Sequence, residues 1–488
     1  MAPIYVGRVS SAGSQEYQDL ARSLLGLLEV ARRTLVDEEA PTELVARVTG
    51  HLGCELSDVV AVHDRFQIWD HVNIHRGVEA YLTRHGSTGT WFGMTTGMMR
   101  PHQDLLSRLA MPAPGPMGRA GSASYGTAAT GPDTDTEVVT LGLIATTAPG
   151  GAPAVIGIRA EREFGPPYGE LEILAADRDA ASATRTDIAR LSAAQNVFRG
   201  QVLSFAESEH HGNELASFLP RIPLDAEDVV LPDGVLESIE RHVAGAGSLA
   251  QELRDAGQHL KRGLLLYGPP GTGKTHTVRY LTGKLTGTTV ILLTGRSIRF
   301  VESAAALARR LQPSMVVLED VDLIAMDRDF SDGSNPLLFT LLDAMDGIGS
   351  DADVTFVLTT NRADILEQAL ADRPGRVDLA IEIPRPDAAC REKLLRLYTR
   401  DVALDSETSA VVAATEGVTA SYIKELVRRA VLAALRTGQR PLVLRQAYFD
   451  EVLAEMSAEH QSLTRSLLGG DTVPRDGRPQ RAQHRTRR

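Results

Sequence analysis

The chain has 488 residues, a formal net charge of −12, 43% hydrophobic and 23% charged residues. At roughly 150 residues per domain this suggests about three domains, and the ordinary composition excludes wholesale disorder. The acidic balance makes nucleic acid an unlikely general partner, since phosphate affinity comes from clustered Lys and Arg, and two cysteines, Cys54 and Cys390, exclude a disulfide framework or a paired-cysteine zinc site.

In chain order, Leu20, Leu24, Leu27, Leu28, Ala31 and Leu35 repeat at helical spacing, and Pro41–Thr42 marks the start of a second helix. Residues 1–110 are therefore expected to form a helical N-terminal domain. His63, His71, His75, His85 and His102 cluster there. His71 and His75 have the i, i+4 spacing of a helical metal pair, but core or surface histidines are the expected outcome. Residues 111–136, rich in Pro, Gly, Ala, Ser and Thr, read as a flexible linker or long loop. Strand-like runs follow at 137–145, 154–161, 169–175 and 201–205, with a helical pattern around 181–194, giving a small α+β module over 137–222. The apolar run at 138–148 is too short to span a bilayer. The first residues lack a signal-peptide core, so a cytoplasmic protein without a membrane span is expected. From about Asp228 short apolar strands alternate with amphipathic helices. The tail, 458–488, is polar and Arg-rich and is expected to be disordered.

The strongest signal is an apolar strand, Gly263–Tyr267, followed by Gly268, Pro269, Pro270, Gly271, Thr272, Gly273, Lys274 and Thr275 and then by a helical pattern opening at His276. This is G-x-x-x-x-G-K-[ST] in strand–loop–helix context. The glycines let backbone N–H groups turn inward around a triphosphate, and the helix N-terminus adds a favourable dipole. Lys274 is expected to reach the β- and γ-phosphates of ATP and Thr275 to ligate Mg²⁺. A second apolar strand, 315–318, ends in Glu319 and Asp320, where α/β sheets bind ligands. One acid is expected on the Mg²⁺ side and the other on the attacking water.

Residues 228–457 resemble the AAA family of ATPases. The resemblance rests on GPPGTGKT, on PSMVVLEDVDLIA (313–325), LLDAMDGI (341–348), TTNRADILEQAL (359–370), RPGRVD (373–378), and on 391–400 and 416–430, which resemble the helical lid. It implies an α/β P-loop NTPase core, a parallel sheet flanked by helices, over 223–385, with a C-terminal helical lid over 386–457. It implies Asn361 as the sensor of the γ-phosphate and Arg373 and Arg376 as fingers reaching a neighbouring copy, hence a homo-oligomeric ring, usually of six. The acids stand in the order Glu then Asp, the reverse of the family's usual order, as in the branch containing the mitochondrial translocase of folded Rieske protein. By position, Glu319 takes the metal side with Thr275 and Asp320 the water side. The finger segment is one residue longer than usual, and Leu379 stands where an Arg commonly follows. His276 and Tyr398 are placed beside the nucleotide, Tyr398 equally open to being lid core.

Phe300 and Val301 occupy the position of the family's substrate-gripping pore loop, where an aromatic ring wedges against an extended polypeptide. The packed alternative places Phe300 under Leu307. Residues 196–200 resemble a segment that precedes the ATPase core in several bacterial members. No H-E-x-x-H occurs, so the zinc-protease half of FtsH-type members is not expected. The expected function is an ATP-driven protein remodeller, with protein substrate or adaptor bound through the N-terminal region. A nucleic-acid motor and a slow nucleotide-switched scaffold are the alternatives.

Overall fold

The computed structural model describes residues 43–86, 89–94, 120–160, 168–207, 214–245, 249–322, 336–349, 351–362, 377–438 and 441–467, with a few isolated positions between them. The chain forms two units, one of Met1–Phe198 and Ala206–Phe218, the other of Arg199–Phe205 and Leu219–Arg488.

In the first unit α1 (Glu43–Leu52), β1 (Val60–Gln67) and α2 (His71–His85) precede a short pair, β2 (Gly93–Met94) and β3 (Ala120–Gly121). Then come β4 (Ser124–Gly131), β5 (Thr134–Thr147), β6 (Pro153–Arg159), β7 (Tyr168–Ala175) and α3 (Arg178–Ala194). Five strands form an antiparallel sheet in the order β1-β7-β6-β5-β4. Successive strand residues point to opposite faces. Ile144, Ile156 and Ile173 therefore join Val78, Tyr81 and Leu82 of α2 and Ile188 of α3 on one face. Their neighbours Leu143, Val155 and Leu174 meet Leu44, Val48 and Leu52 of α1 on the other. Both faces are covered, which is why β7 is buried along nearly its whole length, Glu170 and Glu172 included. Helices α2 and α3 approach closely at Gly77, where a Cβ would sit 1.9 Å from Ser192 Oγ.

Two sequence expectations are corrected here. Residues 1–110 do not form a separate helical domain, because β1 pairs with β7 from Val60↔Ala175 to Gln67↔Tyr168. One sheet and one pair of cores thus join residues 43–94 to 124–194. Residues 124–136 are not a linker but β4 and the start of β5, in register from Tyr125↔Val139 to Ala129↔Asp135 and shifted by an irregularity before Gly131↔Thr134. Their small and polar side chains suit an edge strand, held by main-chain pairing more than by burial. Residues 458–467, expected to begin a disordered tail, instead end a helix, Gln446–Leu467; the helical pattern at 20–35, the stretch 111–119 and the rest of the tail, 468–488, lie outside the described residues.

A seven-stranded sheet has the order β14-β10-β13-β12-β11-β8-β9, with β10 to β14 in the second unit and all of β9 but Leu219 in the first. Its strands are β8 (Val202–Glu207), β9 (Glu214–Leu219), β10 (Arg262–Tyr267), β11 (Thr289–Thr294), β12 (Ser314–Glu319), β13 (Val354–Thr360) and β14 (Leu379–Glu382). The neighbours from β14 to β8 are parallel. The helices are α4 (Val235–Glu240), α5 (Ala250–Asp255), α6 (Lys274–Lys284), α7 (Val301–Arg310) and α8 (Pro336–Asp346). Every residue of β13 is buried, and Leu264, Leu266, Val317 and Val357 pack with Val278 and Leu281 of α6. Leu379, in the place of the family's Arg, is a β14 residue packed against this core.

The lid comprises α9 (Ala388–Thr399), α10 (Thr408–Ala414), α11 (Ala420–Arg436), α12 (Gln446–Leu467) and the parallel pair β15 (Ala403–Asp405) and β16 (Val443–Arg445). Its core is Leu395, Val411, Leu426, Val427, Leu444, Phe449 and Val452. Among the described residues no helix is long and apolar enough to cross a membrane.

Candidate active site

The site grows from the carboxyl ends of β10, β12 and β13. β10 is held between β13 and β14, so its buried run fixes the point where the chain turns into the loop. Gly268 has φ 140°, and a Cβ there would lie 2.3 Å from the Ile383 carbonyl oxygen. Gly271 and Gly273 also have positive φ, 79° and 118°, a conformation glycine adopts without steric cost. Thr272 is buried, its hydroxyl donating to the Pro269 carbonyl at 3.0 Å. Lys274 is 5% exposed, and its Nζ donates to the carbonyls of Gly268 (2.8 Å) and Pro269 (2.9 Å). Burial pushes the ammonium pKa down, opposed by Asp320 and Asp322. A concave loop of main-chain groups around one buried cation, at a helix N-terminus, is a cradle for phosphate.

The two acids point to different partners. Glu319 lies toward the Thr275 hydroxyl, and burial pushes its carboxyl pKa up against the pull of that hydroxyl and of the nearby Arg279. Asp320 has φ 51°, the left-handed region that Asp tolerates better than most residues. That turn lets its N–H donate to Thr359 Oγ1 at 3.0 Å and its Oδ1 accept from Asn361 Nδ2 at 3.4 Å. Thr275 and Glu319 offer hard oxygen donors of the kind Mg²⁺ takes. Among the described residues no group of three or more His, Cys, Asp or Glu could hold a metal alone, so phosphate and water oxygens would complete the shell. His71 and His75 are not such a site either; both are buried, and His71 Nε2 donates to the Val139 carbonyl at 2.9 Å.

A family model for the ATPase family associated with various cellular activities (AAA) matches residues 264–385. These residues are an AAA ATPase domain. The expected P-loop core is thereby borne out. Among curated relatives, the ATP-dependent zinc metalloprotease FtsH 2 of Symbiobacterium thermophilum is 33% identical over 221 residues, 42% of this chain and 37% of the relative. The 26S proteasome regulatory subunit 6A of Encephalitozoon cuniculi is 33% identical over 190 residues, 36% of this chain and 47% of the relative. The proteasome-activating nucleotidase of Methanoregula boonei is 31% identical over 210 residues, 39% of this chain and 47% of the relative. The chain thus spans less than half the length of each of these three relatives.

Two further residues, one in this domain and one in the lid, bear on the site. Asp322, 5% exposed, accepts from Thr360 Oγ1 at 2.9 Å and from the Asn361 N–H at 3.1 Å. It fixes the end of β13 and so aims Asn361. The signal was the third acid, the last residue of Glu-Asp-Val-Asp. Ser421, in the first turn of α11, donates both its N–H (3.0 Å) and its hydroxyl (3.1 Å) to the Gly271 carbonyl. This joins lid to cradle across 150 residues of sequence.

His276 Nε2 donates to the Asp228 carbonyl at 3.0 Å, and Asp228 is paired with Arg400 at 2.8 Å. Tyr398 packs with Val230, Leu394, Ala420 and Ile423, in the lid core that was the alternative for it. Phe300 is half-buried, 6.5 Å from the Phe205 ring centroid, with the Arg299 guanidinium 4.7 Å from its own. Val301 is corrected: it is 0% exposed at the start of α7, packed inside the fold, and has no surface with which to grip a polypeptide. Arg373 and Arg376 lie outside the described residues.

Proposed function

We propose that this chain is an ATP-hydrolysing protein remodeller working in the cytoplasm as a ring of copies, usually six, with its N-terminal unit selecting clients. The observation that carries the ATPase part is the divergence of the two acids, Glu319 toward Thr275 and Asp320 toward Asn361. The loop N–H groups and Lys274 bind the triphosphate, exchanging the lysine's carbonyl partners for phosphate oxygens. Thr275 and Glu319 hold Mg²⁺, which supplies charge neutralisation at the phosphates. Asp320 orients the attacking water, with Asn361 set by Asp322 at its side. Arg373 and Arg376 of a neighbouring copy stabilise charge developing on the transferred group. The remodelling part is supported by the kind of relatives, a protease and two proteasome-associated proteins. It is also supported by the partly exposed Phe300, which contacts a translocating chain.

The experiment is a trap. The Asp320→Asn variant, loaded with ATP in its native cells, is isolated with whatever it holds, and wild-type ATPase activity is compared with unfolded protein, with single-stranded DNA and with neither. Capture of protein clients together with stimulation by unfolded protein supports remodelling. Stimulation by DNA alone points to a nucleic-acid motor. Slow turnover indifferent to both points to a nucleotide-switched scaffold.

A further inference from the structure

Arg221 lies just past β9, far in sequence from the cradle, yet its guanidinium reaches the helix that carries it. It donates to main-chain carbonyls of Thr282 and Leu285 (the latter at 3.0 Å), of Thr288 at 2.8 Å and of Gly200 at 3.1 Å. Thr282 and Leu285 belong to the last turn and C-cap of α6, whose carbonyls have no partner within the helix and carry the negative end of its dipole. Gly200 lies two residues before β8 and is itself anchored, its N–H donating to Thr289 Oγ1 at 2.9 Å. The segment after Arg221 is pressed onto the same helical turn, for a Cβ on Gly283 would lie 2.8 Å from the Ile222 carbonyl oxygen. The chain passes between its two units at residues 198–199, 205–206 and 218–219. One side chain therefore ties the segments beside the first and last of these passages to α6.

At its other end α6 begins with Lys274 and Thr275. A helix of this length, about 16 Å at 1.5 Å per residue, moves as a rod, so a shift of its first turn around a phosphate is felt at its last. A planar fork of five N–H donors serves these four carbonyls at once, whereas an ammonium has three donors on a single point charge. We propose that Arg221 is a positioning residue of the AAA domain, holding the P-loop helix to residues 199–205 and 219–224, so that nucleotide at Lys274 alters those segments. The proposal rests on nucleotide binding and not on the remodelling reading.

The test is hydrogen–deuterium exchange on the full chain, with and without Mg²⁺ and a slowly hydrolysed ATP analogue. Wild type, Arg221→Met and Arg221→Lys are compared, with melting recorded for each. In wild type the analogue is expected to slow exchange at the P-loop (268–277) and also at 199–205 and 219–224. In Arg221→Met the P-loop response is expected to persist while the response of the two segments is lost; Arg221→Lys is expected to lose it in part. If Arg221→Met does not fold, Arg221→Lys decides by the same comparison. A segment response undiminished in a folded variant, or absent from wild type, overturns the proposal, even where melting falls. A wild type without P-loop protection overturns the nucleotide reading as well.

Discussion

Glu319 and Asp320 differ by one methylene and by a backbone angle, and both differences bear on their division of labour. Asp320→Asn keeps the size and the tolerance of positive φ, so nucleotide should still bind. Turnover should fall by about 10²–10⁴, the usual contribution of a positioned acid or base, as measured by ATP affinity and phosphate release. An Asp320→Asn variant that hydrolyses like wild type transfers the water-orienting role to Glu319. The raised pKa of Glu319 makes a second, stability-based prediction. Its folded state favours the protonated form, so the group's contribution is full below the unfolded pKa and is lost as pH rises through the folded one. Without nucleotide, Glu319→Gln should therefore melt higher than wild type at neutral pH, with the gap closing toward acid. Unequal melting that grows as pH falls would contradict the burial account.

Among elements, the junction of α11 with the P-loop is the most exposed to test. Ser421→Ala removes the hydroxyl bond to Gly271 but leaves the N–H bond, so the lid should stay folded and loosen. ADP release should quicken about twofold to tenfold, the range of one net hydrogen bond, in stopped-flow measurements with a fluorescent ADP. An unchanged release rate would make the contact incidental. This bond was not legible in the sequence, whereas the cradle was. Gly268, Gly271, Gly273 and Lys274 do their work within one short loop, so spacing alone specifies them. Ser421 depends on a partner brought near only by the fold. The same distinction explains β1 and β4. In Val60–Gln67 the alternation is interrupted by His63 and Asp64, and its pairing with β7 becomes visible only in three dimensions. Ser124–Gly131 has a linker's composition, and what makes it a strand is its neighbour β5.

For the whole molecule, the proposed ring puts one copy's arginines into another copy's site. Arg373→Ala and Arg376→Ala should each bind ATP and hydrolyse it poorly. Mixing Arg373→Ala with Lys274→Ala copies should restore part of the activity, at interfaces where an intact arginine faces an intact cradle. No rescue, with subunit mixing shown independently, argues against a finger in trans. Sedimentation with an ATP analogue should also favour the larger assembly, because a γ-phosphate held from both sides links neighbours.

The left-handed backbone at Asp320 has a consequence for anyone redesigning this ATPase by consensus. Exchanging the pair to the commoner Asp-Glu order looks like a repair on paper. It would put Glu, which lacks the short side chain that eases this conformation, at φ 51°, where an ordinary L-residue pays roughly 1–2 kcal/mol. It would also leave at 319 an acid too short for the Thr275 hydroxyl. The exchanged variant should hydrolyse more slowly than the native chain in a single-turnover assay, so the inverted order and the local backbone would have to be redesigned together.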